Sequence, residues 1–397
     1  MEELYLVYLS MILLLGTLVS ALANKLKISN VMFLVFSGML LGTFGLITFP
    51  KNAIIIISTL AMVITIFDST VKLKFKEIEK FSSNGMKLVL LNFILTVAVI
   101  TALVYFYFDL NSSNYFSFIL ALSISCLIYG IDHPLTLETS DIKKNNKTIK
   151  LLEIESLLNR PLTLIAPLIL LNYMQALVQG QSIFLGNEIL LFFKQILFGI
   201  VIGLISGYIM LIILNTKLKQ ELSYLIVLTG SIVTFIFSEH INASGVLSLT
   251  VFALIFGNFH IKHKLELERF ASVFSYIFNI FVFILVGTIM MIEFRYILRG
   301  SLIFLAYLVV RIISVNLSLF GSDFNFKEKL FISLNITKGM EVAIIILIML
   351  IRYKDIPGMD TIINLSLLFS LYSFIISNLT GVFSYYLLKN EQEKKRH

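Results

Sequence analysis

Apolar runs long enough to cross a lipid bilayer follow one another along almost the whole chain, separated by short polar segments. A transmembrane helix needs about 20 consecutive, mostly apolar residues, and a scan at that length predicts about 13 spans. They are expected near residues 4–23, 30–48, 53–71, 86–108, 115–137, 150–175, 186–214, 222–238, 242–258, 270–292, 297–320, 328–350 and 361–388. The longest polar segments are 72–87, 138–150 and 389–397. Residues 1–397 are therefore expected to form one all-α membrane domain that ends in a short basic tail at 389–397.

The composition supports a membrane protein and excludes several other classes. Hydrophobic residues make up 58% of the 397 residues and charged residues only 14%, whereas soluble domains carry about 25% charge. The single cysteine, Cys126, excludes an intramolecular disulfide and a cysteine-based metal cluster. No glycine-rich phosphate loop follows a strand pattern, so the sequence predicts no cofactor and no coupling to ATP. An ion gradient is the expected source of energy.

The basic residues predict how the spans are oriented. If the N-terminus is outside, most loop lysines and arginines fall on the cytoplasmic side, including those in 72–87, 143–150, 262–269 and the 389–397 tail. This bias predicts an external N-terminus, a cytoplasmic C-terminus and an odd number of spans in the cell membrane. The net charge of +7 is then explained by loops beside anionic lipid, and it does not indicate nucleic-acid binding.

Charged residues inside apolar spans are the strongest functional signal. The stretch from Leu127 to Pro167 contains Asp132, Glu155 and Arg160 within two apolar runs. A charge at membrane depth costs about 2.5–3.5 kcal/mol on insertion scales, so such residues are rare without a partner or a function. The segment Gly130-Ile131-Asp132-His133-Pro134 would interrupt its helix and expose backbone groups to a cavity. These features together indicate a transporter.

A second interrupted span carries charges of its own. Arg311 lies in the middle of span eleven, and Thr337-Lys338-Gly339 interrupts span twelve, with Glu341 one helical turn after Lys338. This interruption comes seven spans after the first, so the two spans would cross the membrane in opposite directions. An acid in one broken helix and a base in the other is typical of a transporter built from two inverted repeats.

Glycine patterns on two spans predict close helix packing. Gly38-xxx-Gly42 and Gly199-xxx-Gly203-xxx-Gly207 place small residues on one helix face, where a second helix can approach closely. Packing within the chain and a seam between two copies are both open interpretations of these faces.

Several motifs make the chain similar to the monovalent cation/proton antiporters of the sodium/proton exchanger type, over nearly its full length. Of these motifs, ESLLN is the most specific, and the others follow in the order of the family. They are ALANKLKISNVMFLVFSGMLLG in span two, IFDSTVKLKFKEI at the end of span three, GIDHP in span five, ESLLNRP in span six, Arg311 in span eleven and TKGMEVA in span twelve.

This resemblance implies about 13 helices in two inverted six-helix repeats, with a fifth and a twelfth helix that unwind and cross. It implies a mobile core, approximately residues 86–178 and 297–388, and a scaffold that forms a homodimer, approximately 1–85 and 186–292. It also implies exchange of protons for Na⁺, or for K⁺ or Li⁺, by competition at one buried carboxylate site. In this scheme Asp132 is the acid of the fifth helix, and Lys338 is the base that compensates the helix crossing.

The resemblance also assigns roles on the sixth helix. Glu155 would be held by Arg311, and Ser156 and Asn159 would line the ion site. Glu155 and Asn159 are four residues apart, as are Ser156 and Arg160, so each pair is expected to share one helix face.

The chain departs from the family at the position that matters most. The family usually has Thr-Asp-Pro, whereas here Ile131 replaces the threonine and His133 separates Asp132 from Pro134. The family motif usually ends Asn-Asp, with the aspartate as principal carrier, whereas this chain has Arg160 there.

The arginine changes the expected charge of the site. The usual core of the family holds three acids and two bases, a sum of −1. With Arg160 in place of the aspartate, this chain has two acids and three bases, a sum of +1. Unit charges about 4 Å apart interact by roughly 4 kcal/mol at an effective dielectric constant of about 20, enough to reverse a preference for a cation. Glu341 and Asp68 are the acids that could restore the balance.

Arg160 could be a structural lock, a built-in cation paired with Asp132 or a mark of lost transport. An anion or organic-ion transporter on the same fold and a transport-inactive membrane scaffold are the alternative functions.

Overall fold

The chain is almost entirely helical. The computed structural model describes residues 2–26, 30–46, 49–108, 114–130, 146–180, 185–216, 220–259, 264–289 and 294–388. Within these ranges there are 14 α-helices and no strand. The helices are α1 (Glu2–Leu26), α2 (Asn30–Thr43), α3 (Lys51–Val71), α4 (Phe75–Tyr107), α5 (Asn114–Tyr129), α6 (Lys147–Val178), α7 (Leu185–Leu214), α8 (Gln220–His240), α9 (Gly245–Asn258), α10 (Lys264–Ile289), α11 (Phe294–Ser318), α12 (Phe326–Leu334), α13 (Met340–Arg352) and α14 (Met359–Leu388).

The predicted all-α membrane fold is confirmed. Nine of the described helices are long and apolar enough to cross a membrane, and four shorter apolar helices accompany them. Every predicted span corresponds to one of these helices, and the span predicted at 328–350 consists of α12 and α13 with an interruption between them. Helix α5 ends at Tyr129, and residues 131–137 of the predicted fifth span lie outside the described residues.

The polar segment at 72–87 is helical for most of its length, because α4 begins at Phe75 and not near residue 86, where the fourth span was predicted to start. Its first turns form an amphipathic helix with Phe81 and Gly85 buried. A Cβ atom on Gly85 would lie 3.1 Å from the Ile154 side chain of α6. The lysines of this segment lie on the open face of the helix, so average hydropathy is a misleading guide to where the helix starts.

The close helix pairs fall mainly within two groups. In the first group, α1–α3 with α7–α10, helix α10 packs on α2 and α3, and α7 packs on α9. In the second group, α4–α6 with α11–α14, helix α11 packs on α4, and α5 packs on α4 and α6. Contacts between the groups include α13 with α3 and α10, and the rings of Phe283 and Phe374 meet edge to face at 6.0 Å.

Both glycine faces pack within the chain. A Cβ atom on Gly38 would overlap the carbonyl oxygen of Ile284 on α10, and one on Gly203 would overlap the carbonyl oxygen of Ser248 on α9. Gly287, also on α10, lies directly opposite Gly38, so small residues of both helices form this contact. The prediction of close packing is confirmed, and the alternative of a seam between two copies is wrong for these glycines because α9 and α10 already cover them.

Replacing Gly38 with alanine is expected to destabilise the protein by about 1–3 kcal/mol, the usual cost of overpacking. The added methyl group would push against the backbone of α10, which cannot rotate away as a side chain can. Gly85→Ala is the matched control, because its methyl group would meet only side chains of α6, the nearest being that of Ile154. Thermal unfolding in detergent would measure both, and equal melting temperatures for the two variants would contradict the packing argument.

Candidate functional site

The predicted interruption of span twelve is confirmed. Helix α12 ends at Leu334, residues 335–339 have no regular structure, and α13 starts at Met340. The backbone N–H of Lys338 donates a hydrogen bond to the Ser373 hydroxyl of α14 at 3.1 Å. This contact satisfies a backbone donor that the missing helical turn leaves without a partner in its own helix.

Lys338 joins this interruption to the end of α5. Its buried Nζ donates hydrogen bonds to the carbonyl oxygens of Ile128 and Gly130, the latter at 2.5 Å, and to the Tyr307 hydroxyl at 3.3 Å. Because α5 ends at Tyr129, these carbonyls belong to the negative end of the helix dipole. The ammonium group therefore lies where a positive charge is most favourable, between the end of α5 and the interruption that separates α12 from α13.

Glu155 and Arg311 form a buried ion pair, as predicted. Arg311 Nη1 lies 2.5 Å from Glu155 Oε1, and Nη2 lies 2.8 Å from Oε2, so the pair is bidentate. Both residues have 0% exposure. Nη2 also donates to the Ile332 carbonyl oxygen of α12 at 3.4 Å. The pair thus connects α6 and α11 to the helix that precedes the interruption.

The remaining predicted residues of α6 are also buried. Ser156 is 4% exposed, Asn159 is 1% exposed and Arg160 is 2% exposed. One turn beyond Asn159, the Thr163 side chain packs against Gly130, leaving no room for a Cβ atom there. The residue that follows α5 therefore contacts the segment of α6 that carries the predicted ion ligands.

Arg160 reaches across to α3. Its Nη1 donates to Thr70 Oγ1 and its Nη2 donates to Ser69 Oγ, both at 2.6 Å. Hydrogen bonds from a charged donor are short and strong compared with those between neutral groups. The guanidinium is thus held by two adjacent hydroxyl groups of a helix from the other packing group.

Two predicted residues cannot be placed in this arrangement. Asp132 lies outside the described residues, and so do Ile131, His133 and Pro134. Glu341 belongs to the first turn of α13, but its side chain is not among those described.

Asp68, the other acid predicted to restore the charge balance, is engaged elsewhere. Its carboxylate lies 2.7 Å from Lys72 Nζ and accepts a hydrogen bond from Ser272 of α10 at 2.7 Å. Asp68 therefore lies at the end of α3, beside the basic loop, and its negative charge is already balanced by Lys72.

Three contributors to the site are not apparent from the sequence. Ser69 and Thr70 bind the guanidinium of Arg160, and Tyr307 binds Lys338, with Lys338 Nζ 4.8 Å from the centre of its ring. Hydroxyl residues are common in membrane helices, and nothing in the sequence links residue 70 to residue 160. The motif at the end of span three draws attention to its aspartate, although the two hydroxyl residues that follow it make the contact.

The arrangement is suited to handling a small cation. The buried side chains of Ser156 and Asn159 offer oxygen ligands, and the backbone of an interrupted helix can supply carbonyl ligands for Na⁺ in transporters. Across the ranges that the structure covers, no cluster of three or more His, Cys, Asp or Glu side chains could hold a multivalent metal ion. Each of the three buried cations, Arg160, Arg311 and Lys338, has described oxygen partners.

Comparison with known proteins gives a consistent result. The family described as "Sodium/hydrogen exchanger, transmembrane" matches residues 10–383. The chain is 25% identical over 402 residues to the Na(+)/H(+) antiporter NhaH of Halobacillus aidingensis, covering 94% of this chain and 96% of the relative. It is 26% identical over 309 residues to the probable Na(+)/H(+) antiporter 2 of Methanocaldococcus jannaschii, covering 72% of this chain and 69% of the relative.

Among solved structures, the sodium proton antiporter MjNhaP1 from Methanocaldococcus jannaschii at pH 8 superposes with a TM-score of 0.79. The alignment covers 96% of this chain and 100% of that chain, at 20% sequence identity. The two chains therefore share one fold over essentially their whole lengths.

Proposed function

Because the chain belongs to the sodium/hydrogen exchanger family, we propose that it is a secondary transporter that exchanges protons for a monovalent cation. Na⁺ is the first candidate, since the relatives NhaH and probable antiporter 2 are named for Na⁺ and H⁺, and K⁺ and Li⁺ are the others. Alternating access in a multi-pass protein of the cell membrane would couple the two fluxes. The expected topology has the N-terminus outside and the C-terminus in the cytoplasm.

The observation that carries the proposal is the contact between the end of α5 and the interruption that separates α12 from α13. Lys338 binds the carbonyl groups at the end of α5 while its own backbone lies in the interruption between α12 and α13. Irregular backbone at membrane depth is tolerated only where it is buried in protein or lines a cavity, and transporters use such places to bind ions.

The two packing groups suggest how the site moves. We assign the second group, α4–α6 with α11–α14, to the mobile core, and the first group to the scaffold that would form a homodimer. A cavity between the groups has largely apolar walls, with Val35, Phe283 and Val286 on one side and Ala343 and Ile346 on the other. Apolar surfaces of this kind can slide past one another because few directional bonds must break.

Within the core, Asp132 would release a proton to one side and accept the cation from the other. Ser156, Asn159 and backbone carbonyl groups would complete the cation's shell. The pair of Glu155 with Arg311 would hold α6 and α11 in place and would itself carry neither ion, because its charges already satisfy each other.

Anion transport fits the contacts less well than cation exchange does. The surplus of basic residues motivates that alternative, yet Arg311 is bound by a carboxylate, Lys338 by carbonyl groups and Arg160 by hydroxyl groups. An anion would have to displace these partners. The alternative of a transport-inactive scaffold gives no function to the interruption between α12 and α13.

The proposal predicts cation-dependent proton movement in proteoliposomes that contain the purified protein and a pH-sensitive dye. Addition of Na⁺, Li⁺ or K⁺ should change the internal pH in wild type, and Asp132→Asn should reduce the signal to that of empty liposomes. Asp360→Asn is the matched control, because Asp360 is an exposed acid at the start of α14. Full exchange by Asp132→Asn would remove Asp132 from the mechanism.

Arg160→Asp restores the acid that is usual in the family. Measured in the same assay, it helps to distinguish cation exchange from anion transport and from a transport-inactive scaffold. Silence in both wild type and Arg160→Asp would contradict cation exchange, and chloride- or carboxylate-dependent flux would then be tested. Stable protein without flux under any gradient would favour the scaffold.

A further inference from the structure

Arg160 directly follows Asn159, a proposed cation ligand, and a guanidinium left to enter the ion site would compete with the transported cation. We infer that Ser69 and Thr70 of α3 are positioning residues that hold the Arg160 guanidinium away from the ion site, so that a cation can occupy it. This inference rests on the proposed function and adds two residues to its machinery.

The hydrogen-bond geometry favours a specific hold over a chance contact. Two different nitrogen atoms of the guanidinium each donate to one hydroxyl oxygen, at 2.6 Å, so the planar group is gripped at two points. Ser69 Oγ also donates its own hydrogen to the Ile66 carbonyl oxygen at 3.2 Å. A hydroxyl group whose proton is used in this way presents only lone pairs to the arginine.

The helix geometry directs Arg160 away from the carboxylate pair. Arg160 shares a helix face with the proposed ion ligand Ser156, so the reach of its side chain to α3 decides where the guanidinium lies. Glu155 faces α11, whereas the guanidinium of Arg160 reaches α3. Coulomb energy falls inversely with distance, so a guanidinium held at α3 repels a bound cation less than one that enters the ion site.

The acceptors are themselves fixed to the first packing group. One turn before Thr70, the Phe67 ring packs against Phe252 and Phe256 of α9, with ring centres 6.1 and 5.4 Å away. Asp68 accepts a hydrogen bond from Ser272 of α10. Arg160 is therefore held by a helix outside its own group, and the hold exists only while α6 and α3 keep this relative position.

The test compares Na⁺-dependent exchange of wild type with that of the double variant Ser69→Ala, Thr70→Val in proteoliposomes. Without the hydroxyl groups the guanidinium is expected to compete with Na⁺, raising the apparent KM for Na⁺ about tenfold, equivalent to about 1.4 kcal/mol of binding free energy. The maximal rate should change much less. In an Arg160→Asp background the same double variant should leave the KM unchanged, because no guanidinium is left to compete.

Ser58→Ala controls for loss of a buried hydroxyl group from the same helix, since Ser58 Oγ has no hydrogen-bond partner among the described residues. Thermal unfolding would verify that each variant is folded. An unchanged KM in the folded double variant, or a reduced maximal rate alone, would overturn the inference while leaving cation exchange intact. Silence of wild type with activity in Arg160→Asp would also overturn it, because the held arginine would then block the site. Silence of both would contradict the proposed function itself.

Discussion

Arg311→Ala is expected to destabilise the protein by about 3–5 kcal/mol, the usual cost of removing one partner from a buried ion pair. Arg311 has 0% exposure and binds both carboxylate oxygens of Glu155, which also has 0% exposure. Truncation would leave a buried carboxylate without the guanidinium that binds both of its oxygen atoms. The Ile332 carbonyl of α12 would lose its donor as well.

The single cysteine makes this prediction simple to measure. Cys126 is buried, so a thiol-reactive fluorescent dye should label it only when the protein unfolds. Arg311→Ala should melt well below wild type, and Glu155→Leu with Arg311→Met should melt above the single variant, because no unpaired charge remains. Arg295→Ala removes an exposed arginine from the same helix and should change the free energy of unfolding by less than about 1 kcal/mol. Equal melting of Arg311→Ala and Arg295→Ala would contradict the prediction.

The fold can be predicted from the sequence because the bilayer imposes a simple rule on each segment. A span needs about 20 mostly apolar residues, and nine of the described helices are long and apolar enough to meet that rule. The interruption at Lys338 is predictable because a charge is costly at membrane depth and the glycine that follows it weakens a helix. The pairing of Glu155 with Arg311 is assigned by the family resemblance, and it agrees with the cost of burying either charge alone.

Other features depend on three-dimensional information that the sequence does not carry. The start of α4 is misjudged because the amphipathic turns around Phe81 lower the average hydropathy while still burying one face. Excluding a seam at Gly38 requires knowing that Gly287 of α10 already lies there. The hydroxyl groups of Ser69 and Thr70 become significant only when the fold brings Arg160 to them.

Lys338→Met is expected to be the second most damaging substitution, because Lys338 supplies the hydrogen bonds that close the end of α5. Removing the ammonium group would leave the carbonyl oxygens of Ile128 and Gly130 without this donor. A buried acceptor that loses its partner costs about 1–3 kcal/mol, so the two together would cost about 2–6 kcal/mol. Exchange should also be lost, since the end of α5 would no longer be held to the interruption between α12 and α13 at the proposed ion site.

Lys264→Met provides a closely matched control for that experiment. Lys264 also donates to a carbonyl oxygen at a helix end, that of Gly257 in α9, but Lys74 donates to the same oxygen at 2.8 Å. Its loss should therefore change the free energy of unfolding by less than about 1 kcal/mol, because the acceptor keeps a partner. Dye labelling of Cys126 on heating would measure stability, and the proteoliposome assay would measure exchange. If Lys338→Met were as stable and as active as Lys264→Met, Lys338 could not be the group that holds α5 to the interruption between α12 and α13.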